Sequence, residues 1–528
     1  MAGRLTPVAP DQRIQDLDVV RGFALLGIML MNIEFFNRTT HGIMEGMPVG
    51  LRGLEWATSW FIAYFVQGKF WTIFSLLFGM GFAVMLARAE RAGRDFFWPY
   101  LRRIGALAVF GAAHYIFLWD GDILFSYALG AGALLILLYA KWKHILIALV
   151  PLAAVGFIPG FNSVWGMAAT LVSMGVNSLY LRSEHRVRIR GASLPLFSFI
   201  QLVMGGVGVL AAVVLWSLPD GPQEPRVPVT IVSVGMLVVG ALAAKFHDPV
   251  ELRELRLGAA IYVFVTVMMT MVGTIQYLRP TVPPAPTAAA NPQAQKASAE
   301  RAERLAKRQE EKHSETLILS RGNYLDAVEW RAGKFPGKVA RDAGFAVVLV
   351  AMFLLGAWFV RSGVMENARA HLALFEKLVL YGIPIGVGLG LLGSFIAVSS
   401  TPGDDHDGFT AARGLAMLGN LPACLGYVGM VVLMLHSNSV FARIRVLAPF
   451  GRMALTNYLT QSVICSLYFY GYGLGHWGMA RTWQVVFVAV VLAAQIVFSH
   501  WWLARYRFGP MEWLWRGYTY RETPVMRR

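Results

Sequence analysis

Cysteine is nearly absent from this chain. Its two copies, Cys424 and Cys465, both lie within apolar segments, which excludes a disulfide framework and a multi-cysteine metal centre and leaves the redox compartment unassigned. Charge is scarce too. Only 15% of the 528 residues are Asp, Glu, Lys or Arg, against 56% hydrophobic, and the mean hydropathy is +0.53. A water-facing surface of ordinary size cannot be built from that composition. Walker loop, dinucleotide fingerprint, zinc-binding helix and nucleophile elbow are missing in any suitable context, so ATP-driven transport within this chain drops out and no metal site is expected. The first apolar run has acidic residues before it and no small-residue cleavage signature after it, so it reads as a retained helix rather than a signal peptide.

What is present is apolar sequence in membrane-length blocks. A crossing helix takes roughly 20 mostly apolar residues, and about fourteen segments meet that requirement. They begin near Val19, Phe70, Ile104, Ile123, Ile145, Val164, Pro195, Pro228, Leu257, Ala343, Leu372, Ala412, Met453 and Trp483. The expected fold is therefore an all-α polytopic bundle in contact with the lipid bilayer. Residues 54–66, aromatic and short, read as an interfacial or re-entrant helix. The formal charge of +16 does not point to nucleic acid, because the basic residues sit in short loops between apolar blocks. An inside N-terminus puts the basic loops 88–103, 141–144, 182–190, 245–256, 361–369 and 443–445, and the arginine-rich tail, all in the cytoplasm. Both termini are then cytoplasmic. The polar connection 279–341 falls outside. Its first part, 280–299, reads as a flexible or polyproline linker, and 300–315 as a solvated charged helix.

The polar residues inside this apolar frame are the candidates for chemistry. Asp18 and Arg21 are one helical turn apart at the foot of the first span, where each neutralises the other. His114 lies toward the outer end of the third span and is followed by Trp119-Asp120-Gly121-Asp122. Asp122 is placed to cap the next helix and Asp120 to close the turn; their nearness to His114 gives both a second, catalytic reading. Asn457 and Gln461 form a polar stripe on the thirteenth span, which reads either as interhelical glue or as a substrate path. Gly382, Gly386, Gly390 and Gly393, like Gly79 and Gly81, read as close-packing faces. Residues 509–516, Gly-Pro-Met-Glu-Trp-Leu-Trp-Arg, read as an interfacial segment with a snorkelling Arg516.

These motifs carry a family resemblance. Leu17-Asp18-Val19-Val20-Arg21-Gly22-Phe23-Ala24-Leu25-Leu26-Gly27-Ile28, Lys69-Phe70 with Leu76-Leu77-Phe78-Gly79, His114 with Trp119-Asp120-Gly121-Asp122-Ile123-Leu124, Gly451-Arg452-Met453-Ala454-Leu455-Thr456-Asn457-Tyr458-Leu459 and the 509–516 segment occur in order. Together they resemble the YeiB-like family, domain of unknown function 418. Gly322-Asn323-Tyr324 with Trp330-Arg331 resembles a further family element. The resemblance implies a multi-pass protein of the bacterial inner membrane. It divides the chain into an N-terminal membrane region (1–158), an inserted four-helix region (159–278), an extracytoplasmic loop (279–341) and a C-terminal membrane domain (342–528).

Through Asp18-x-x-Arg21-Gly22-x-Ala24-Leu25 the chain is also similar to the wider group of transmembrane acyltransferases that includes the heparan glucosaminide acetyltransferase. That similarity implies acyl transfer from cytoplasmic acyl-coenzyme A to a small-molecule, glycan or lipid acceptor across the membrane, using a histidine. Two histidines are open for the role: His114, within the family pattern, and His41, in the outer loop where the acetyltransferases carry theirs. Asp120 or Asp122 would orient it. Arg21, Arg102 and Arg103 would meet the coenzyme phosphates, while positive-inside topology accounts for Arg102 and Arg103 equally. The competing expectation is a transporter or exporter whose intramembrane polar groups, Asp18, Asn457 and Gln461, line a passage. No oligomeric state follows from the sequence.

Overall fold

The computed structural model describes residues 13–40, 47–48, 50–158, 164–189, 191–218, 225–278, 292–398 and 408–528. Its helices are α1 (Gln15–Asn32), α2 (Gly53–Phe61), α3 (Lys69–Arg91), α4 (Phe97–Phe117), α5 (Leu124–Tyr139), α6 (Trp142–Gly156) and α7 (Val164–Arg182). There follow α8 (Leu196–Ser217), α9 (Arg226–Lys245), α10 (Arg253–Leu278), α11 (Pro292–Arg321), α12 (Tyr324–Arg361), α13 (Leu372–Lys377) and α14 (Ile383–Val398). The chain ends with α15 (Phe409–Leu435), α16 (Leu447–Arg452), α17 (Ala454–Phe469), α18 (Arg481–Arg505) and α19 (Pro510–Tyr520). One small antiparallel hairpin, β1 (Arg186–Ile189) with β2 (Ala192–Pro195), pairs Arg186 with Pro195 and Ile189 with Ala192, and Gly191 turns between them at φ +86°.

Ten helices among the described residues are long and apolar enough to cross a membrane. The protein is a multi-pass, all-α membrane protein. The difference from fourteen lies in the segments near Ile104, Ile123, Ile145 and Met453. There α5, α6 and α17 have 16, 15 and 16 residues, short of the ~30 Å that about 20 residues span, and α4 carries Arg102, Arg103 and His114 along its length.

The centre of the bundle is α12. Leu349, Val350, Ala351, Met352 and Phe353 have no exposure at all, so this helix meets protein on every side, as its continuous apolar run requires. Its crossing with α3 uses paired glycines. A Cβ on Gly79 would stand 2.6 Å from Phe353 Cα and one on Gly356 2.9 Å from the Leu76 carbonyl carbon, so neither helix tolerates a side chain where the backbones touch. The glycine row that leads into α14 divides. Gly386 and Gly393 clamp α15 near Ala423 and Ala412, whereas Gly390 meets no helix and faces Lys69 and Tyr64.

Two expectations about the 279–341 connection need correction. The helix carrying the tenth span starts at Tyr324, not near Ala343, and runs 38 residues around an internal Pro336. Its charged first half is not loop, because Arg331 and Lys338 are buried against α4 and α5. The 300–315 stretch is helical as expected, but its end is not solvated. Glu315 is 1% exposed and accepts the Thr40 N–H at 2.7 Å. Residues 54–66 form α2 and a π turn (Ile62–Val66), after which Gly68 at φ +83° redirects the chain into α3.

Candidate functional site

The turn between α4 and α5 gathers most of the buried polar chemistry. His114, in the last turn of α4, places Nδ1 2.8 Å from Asp122 Oδ1, and both side chains are fully enclosed. Asp122 also accepts the Leu124 and Phe125 N–H groups at 3.1 and 2.8 Å, so it caps α5 and holds the imidazole at once. With Nδ1 committed to the carboxylate, Nε2 is the free end of the ring. It has no hydrogen-bond partner among the described residues.

Other unsatisfied polar atoms surround it. The Tyr458 ring lies 5.2 Å from His114 and Trp119 lies 6.0 Å away, edge on. The Trp119 indole N–H and the Tyr470 hydroxyl are buried and unpaired, and the Tyr458 hydroxyl approaches the Ile123 backbone without completing a hydrogen bond of good geometry. Each such group costs about 1–3 kcal/mol when left unmet. Several such groups near one turn leave donors open to a hydrogen-bonding guest.

Residues from α11 and α12 complete the wall. Arg331, with no exposure, donates Nε–H to the Ile116 carbonyl at 2.9 Å. Its two terminal nitrogens make no hydrogen bond of good geometry, although Asp120, Tyr470 and Tyr472 all feel its charge. Lys338 donates to the Asp122 carbonyl at 2.8 Å and pairs with Asp342 at 2.7 Å, and Ser126 donates to the same carboxylate at 2.8 Å. Asp120 does not reach His114 by a hydrogen bond; Thr40 donates to it at 3.3 Å. Crowding raises its carboxyl above the usual range, through desolvation first and the Glu315 charge second, with Arg331 opposing both.

The sequence reading thus reached His114, Asp120 and Asp122 but passed over Lys338, Asp342 and Glu315 and gave Arg331 no role. A signal existed: Ala327, Arg331, Lys338 and Asp342 share one stripe of a helix at spacings of 4, 7 and 4. His41 lies outside the described residues. Asn457 and Gln461 are occupied in joining α17 to α18, the first by bonds to the Phe450 carbonyl and Ser499, the second by a bond to Gln495, which in turn donates to the Asn457 carbonyl. Helix packing accounts for both amides, and the passage reading of these two residues gains nothing from the geometry.

The opposite end of α4 is basic. Arg21 pairs with Asp18 at 2.9 Å, and Arg13 approaches the same carboxylate at 3.5 Å. Arg103 lies 4.0 Å over the Trp515 ring, whose N–H returns to the Arg103 carbonyl at 2.8 Å, and Arg102 donates to the Thr519 carbonyl at 3.0 Å. The segment read as interfacial, α19, is therefore bound to the start of α4 and brings Arg516 with it. Burial first, with Arg13 and Arg103 adding to it and Tyr520 and Glu512 opposing, lowers Arg516 to about 10. Arg452 also feels Arg13, Asp18 and Arg528. Glu512 acts on Arg516 from a distance and also caps α17 by accepting from Leu455 N–H, Thr456 N–H and the Thr456 hydroxyl at 2.7, 3.1 and 2.6 Å. Arginines that outnumber the carboxylates beside them have the chemistry to receive a further anion.

Comparison with known proteins follows the same lines. Residues 359–522 match the family model described as "Protein of unknown function (DUF418)". The chain is 28% identical to the uncharacterized protein YxaH of Bacillus subtilis (strain 168), covering 98% of this chain and 96% of that one. It is 26% identical to the uncharacterized protein YeiB of Escherichia coli (strain K12), covering 97% of both. A 39.9 kDa uncharacterized protein from the amylase 3' region of Bacillus acidopullulyticus is 31% identical over 39% of this chain and 57% of its own length. No solved structure matches. The chain is thus similar to the YeiB-like proteins along nearly its whole length, and its C-terminal third carries the DUF418 match.

Proposed function

We propose that this protein is an inner-membrane acyltransferase that passes an acyl group from cytoplasmic acyl-coenzyme A to a hydroxyl or amine of an extracytoplasmic small-molecule, glycan or lipid acceptor. The observation that carries the reading is the layout of α4. Its arginine end and its His114 end are eleven residues apart, about 17 Å along the helix axis, so one helix joins a receptor for phosphates to a buried, carboxylate-backed imidazole. In the accompanying topology the chain crosses about fourteen times, the shorter helices included, and both termini and the arginine cluster face the cytoplasm.

In the proposed reaction Arg21, Arg102, Arg103 and Arg516 hold the coenzyme phosphates on the cytoplasmic side. The His114 imidazole takes the acceptor proton on Nε2, the freed oxygen or nitrogen attacks the thioester carbonyl, the carbon–sulfur bond breaks, and the coenzyme thiolate recovers the proton from the imidazolium. Asp122 keeps Nδ1 protonated and stabilises the imidazolium. Trp119, Tyr470 and Arg331 supply unspent donors to the acceptor or to the developing oxyanion.

Binding of acyl-coenzyme A to the purified protein, then transfer of a labelled acyl group into acceptors on the far side of proteoliposomes, tests this. His114→Ala is expected to abolish transfer with donor binding retained, and His41→Ala run beside it separates the two histidines. Absence of donor binding together with solute flux through the proteoliposomes would replace this reading with transport.

A further inference from the structure

Among the described residues Lys69 is the one buried lysine that neither site uses. It is the first residue of α3, is 1% exposed, and makes no ion pair or side-chain hydrogen bond with the described residues. A buried ammonium in a membrane bundle is ordinarily paired, and this one is doubly disfavoured, because the N-terminus of a helix already carries positive partial charge. Nothing at that terminus offsets either contribution. The cap position is Gly68, held at φ +83° with no side chain to accept an N–H, and the nearby Thr72 hydroxyl is spent on the Gly68 carbonyl at 2.7 Å.

Two further features face the same point. Asn420 on α15 is 4% exposed, rests its amide against Gly68, and leaves Oδ1 unpartnered; rotation of the amide presents its N–H₂ instead. Gly390 is the member of the α14 glycine row that clamps no helix. A Cβ there would lie 3.9 Å from Lys69 Nζ and 3.8 Å from the Tyr64 ring, so the missing side chain leaves room beside the ammonium. The backbone just before Lys69, Ile62–Val66, is a π turn, a distortion that proteins keep mostly where it serves a site. Phe70 packs on Gly27, nine residues or about 13 Å along α1 from Asp18, so this place is distinct from the arginine end.

We propose that Lys69, the free N–H groups at the start of α3 and the Asn420 amide form a second anion site, which binds a phosphate group. A lysine point charge at an uncapped helix N-terminus is the donor arrangement that phosphate selects, and the bound anion neutralises both unmet positive charges. The phosphate comes either from a lipid headgroup or from a soluble phosphate ester or ion.

The test uses full-length protein in nanodiscs, with phosphatidylglycerol in phosphatidylcholine as one probe and inorganic phosphate as the other. Native protein is compared with Lys69→Gln and with Gly390→Val, which keeps the charge and fills the space beside it. The difference from native protein removes any phosphate held by the arginines. Loss of roughly tenfold or more in affinity is expected for Lys69→Gln, and a several-fold loss for Gly390→Val. Dependence on phosphatidylglycerol alone identifies a lipid headgroup, and dependence on inorganic phosphate a soluble ligand. Equal binding by native protein and Gly390→Val, whether or not Lys69→Gln folds, overturns the proposal, as does no binding of either probe.

Discussion

Asp122 is the residue at which structural and chemical roles can be pulled apart. Asp122→Ala removes the cap of α5, worth about 1 kcal/mol, and leaves the enclosed His114 without any partner, a further 1–3 kcal/mol or so. The sum is a destabilisation of about 2–4 kcal/mol. Asp122→Asn differs in kind. The Phe125 N–H points at Oδ2, and His114 and the weaker Leu124 N–H at Oδ1, so the amide keeps the shorter cap bond by placing its oxygen at Phe125 and its N–H₂ at His114, and gives up the Leu124 bond. The cap survives, at a cost of about 1 kcal/mol or less, but Nδ1 must now accept and the proton moves to Nε2. The imidazole is then held in the tautomer that cannot act as a base, and transfer should fall by roughly 10³–10⁴. Denaturation midpoints in a detergent titration, set beside acyl-transfer rates for both variants, give the comparison. An Asn variant as unstable as the Ala variant would mean that the carboxylate charge is structural, and an Asn variant with native activity would remove His114 from the mechanism.

Asp120 predicts a pH dependence. Its carboxyl is raised in the folded protein by burial and by Glu315, so the folded state holds that proton more tightly than the unfolded chain. Stability should therefore increase as pH falls from neutrality toward the ordinary aspartate value of 3.8 and be lost as pH rises through the raised value; Asp120→Asn should flatten this component of a stability–pH profile. For Asp18, which serves both Arg21 and Arg13, membrane abundance should drop more in Asp18→Ala than in Arg21→Ala, and the double variant should fall short of the summed losses; additive losses would separate the two residues. Glu512→Ala should free α19, seen as faster proteolysis of the C-terminal tail, with Glu512→Gln close to native because it keeps an acceptor for the α17 N–H groups. The topology is testable with little background, since Cys424 and Cys465 are 0% and 1% exposed: a cysteine at Ala289 should react with an impermeant reagent from outside, and labelling only from the cytoplasm would invert the map.

The contrast between α1 and α12 explains what could be read in advance. At α1 the pattern is local: two opposite charges three residues apart before an apolar run lie within each other's reach, and they meet at 2.9 Å. The same holds for Asp122, whose capping role follows from its place just before an apolar helix. In α12 the charges of the first half have no local partner of that kind beyond Lys338 and Asp342, so polarity suggested solvent. Their partners are 215 and 216 residues away, at the Ile116 and Asp122 carbonyls. Glycine patterns divide the same way, since a row of four on α14 announces close packing without telling which member faces a lysine instead of a helix. By itself the sequence determined the helical membrane class, the local ion pair and cap, and the resemblance to a family, because these depend on composition and on neighbours within a few residues. The tertiary structure alone decided that Trp119 and Tyr458 pack beside His114 while Arg331 and Tyr470 come to Asp120 in the same turn, that α19 carries Arg516 to the arginine cluster, and that Lys69 stands without a counter-charge among the described residues, because each depends on which distant helices the packing of apolar faces brings together.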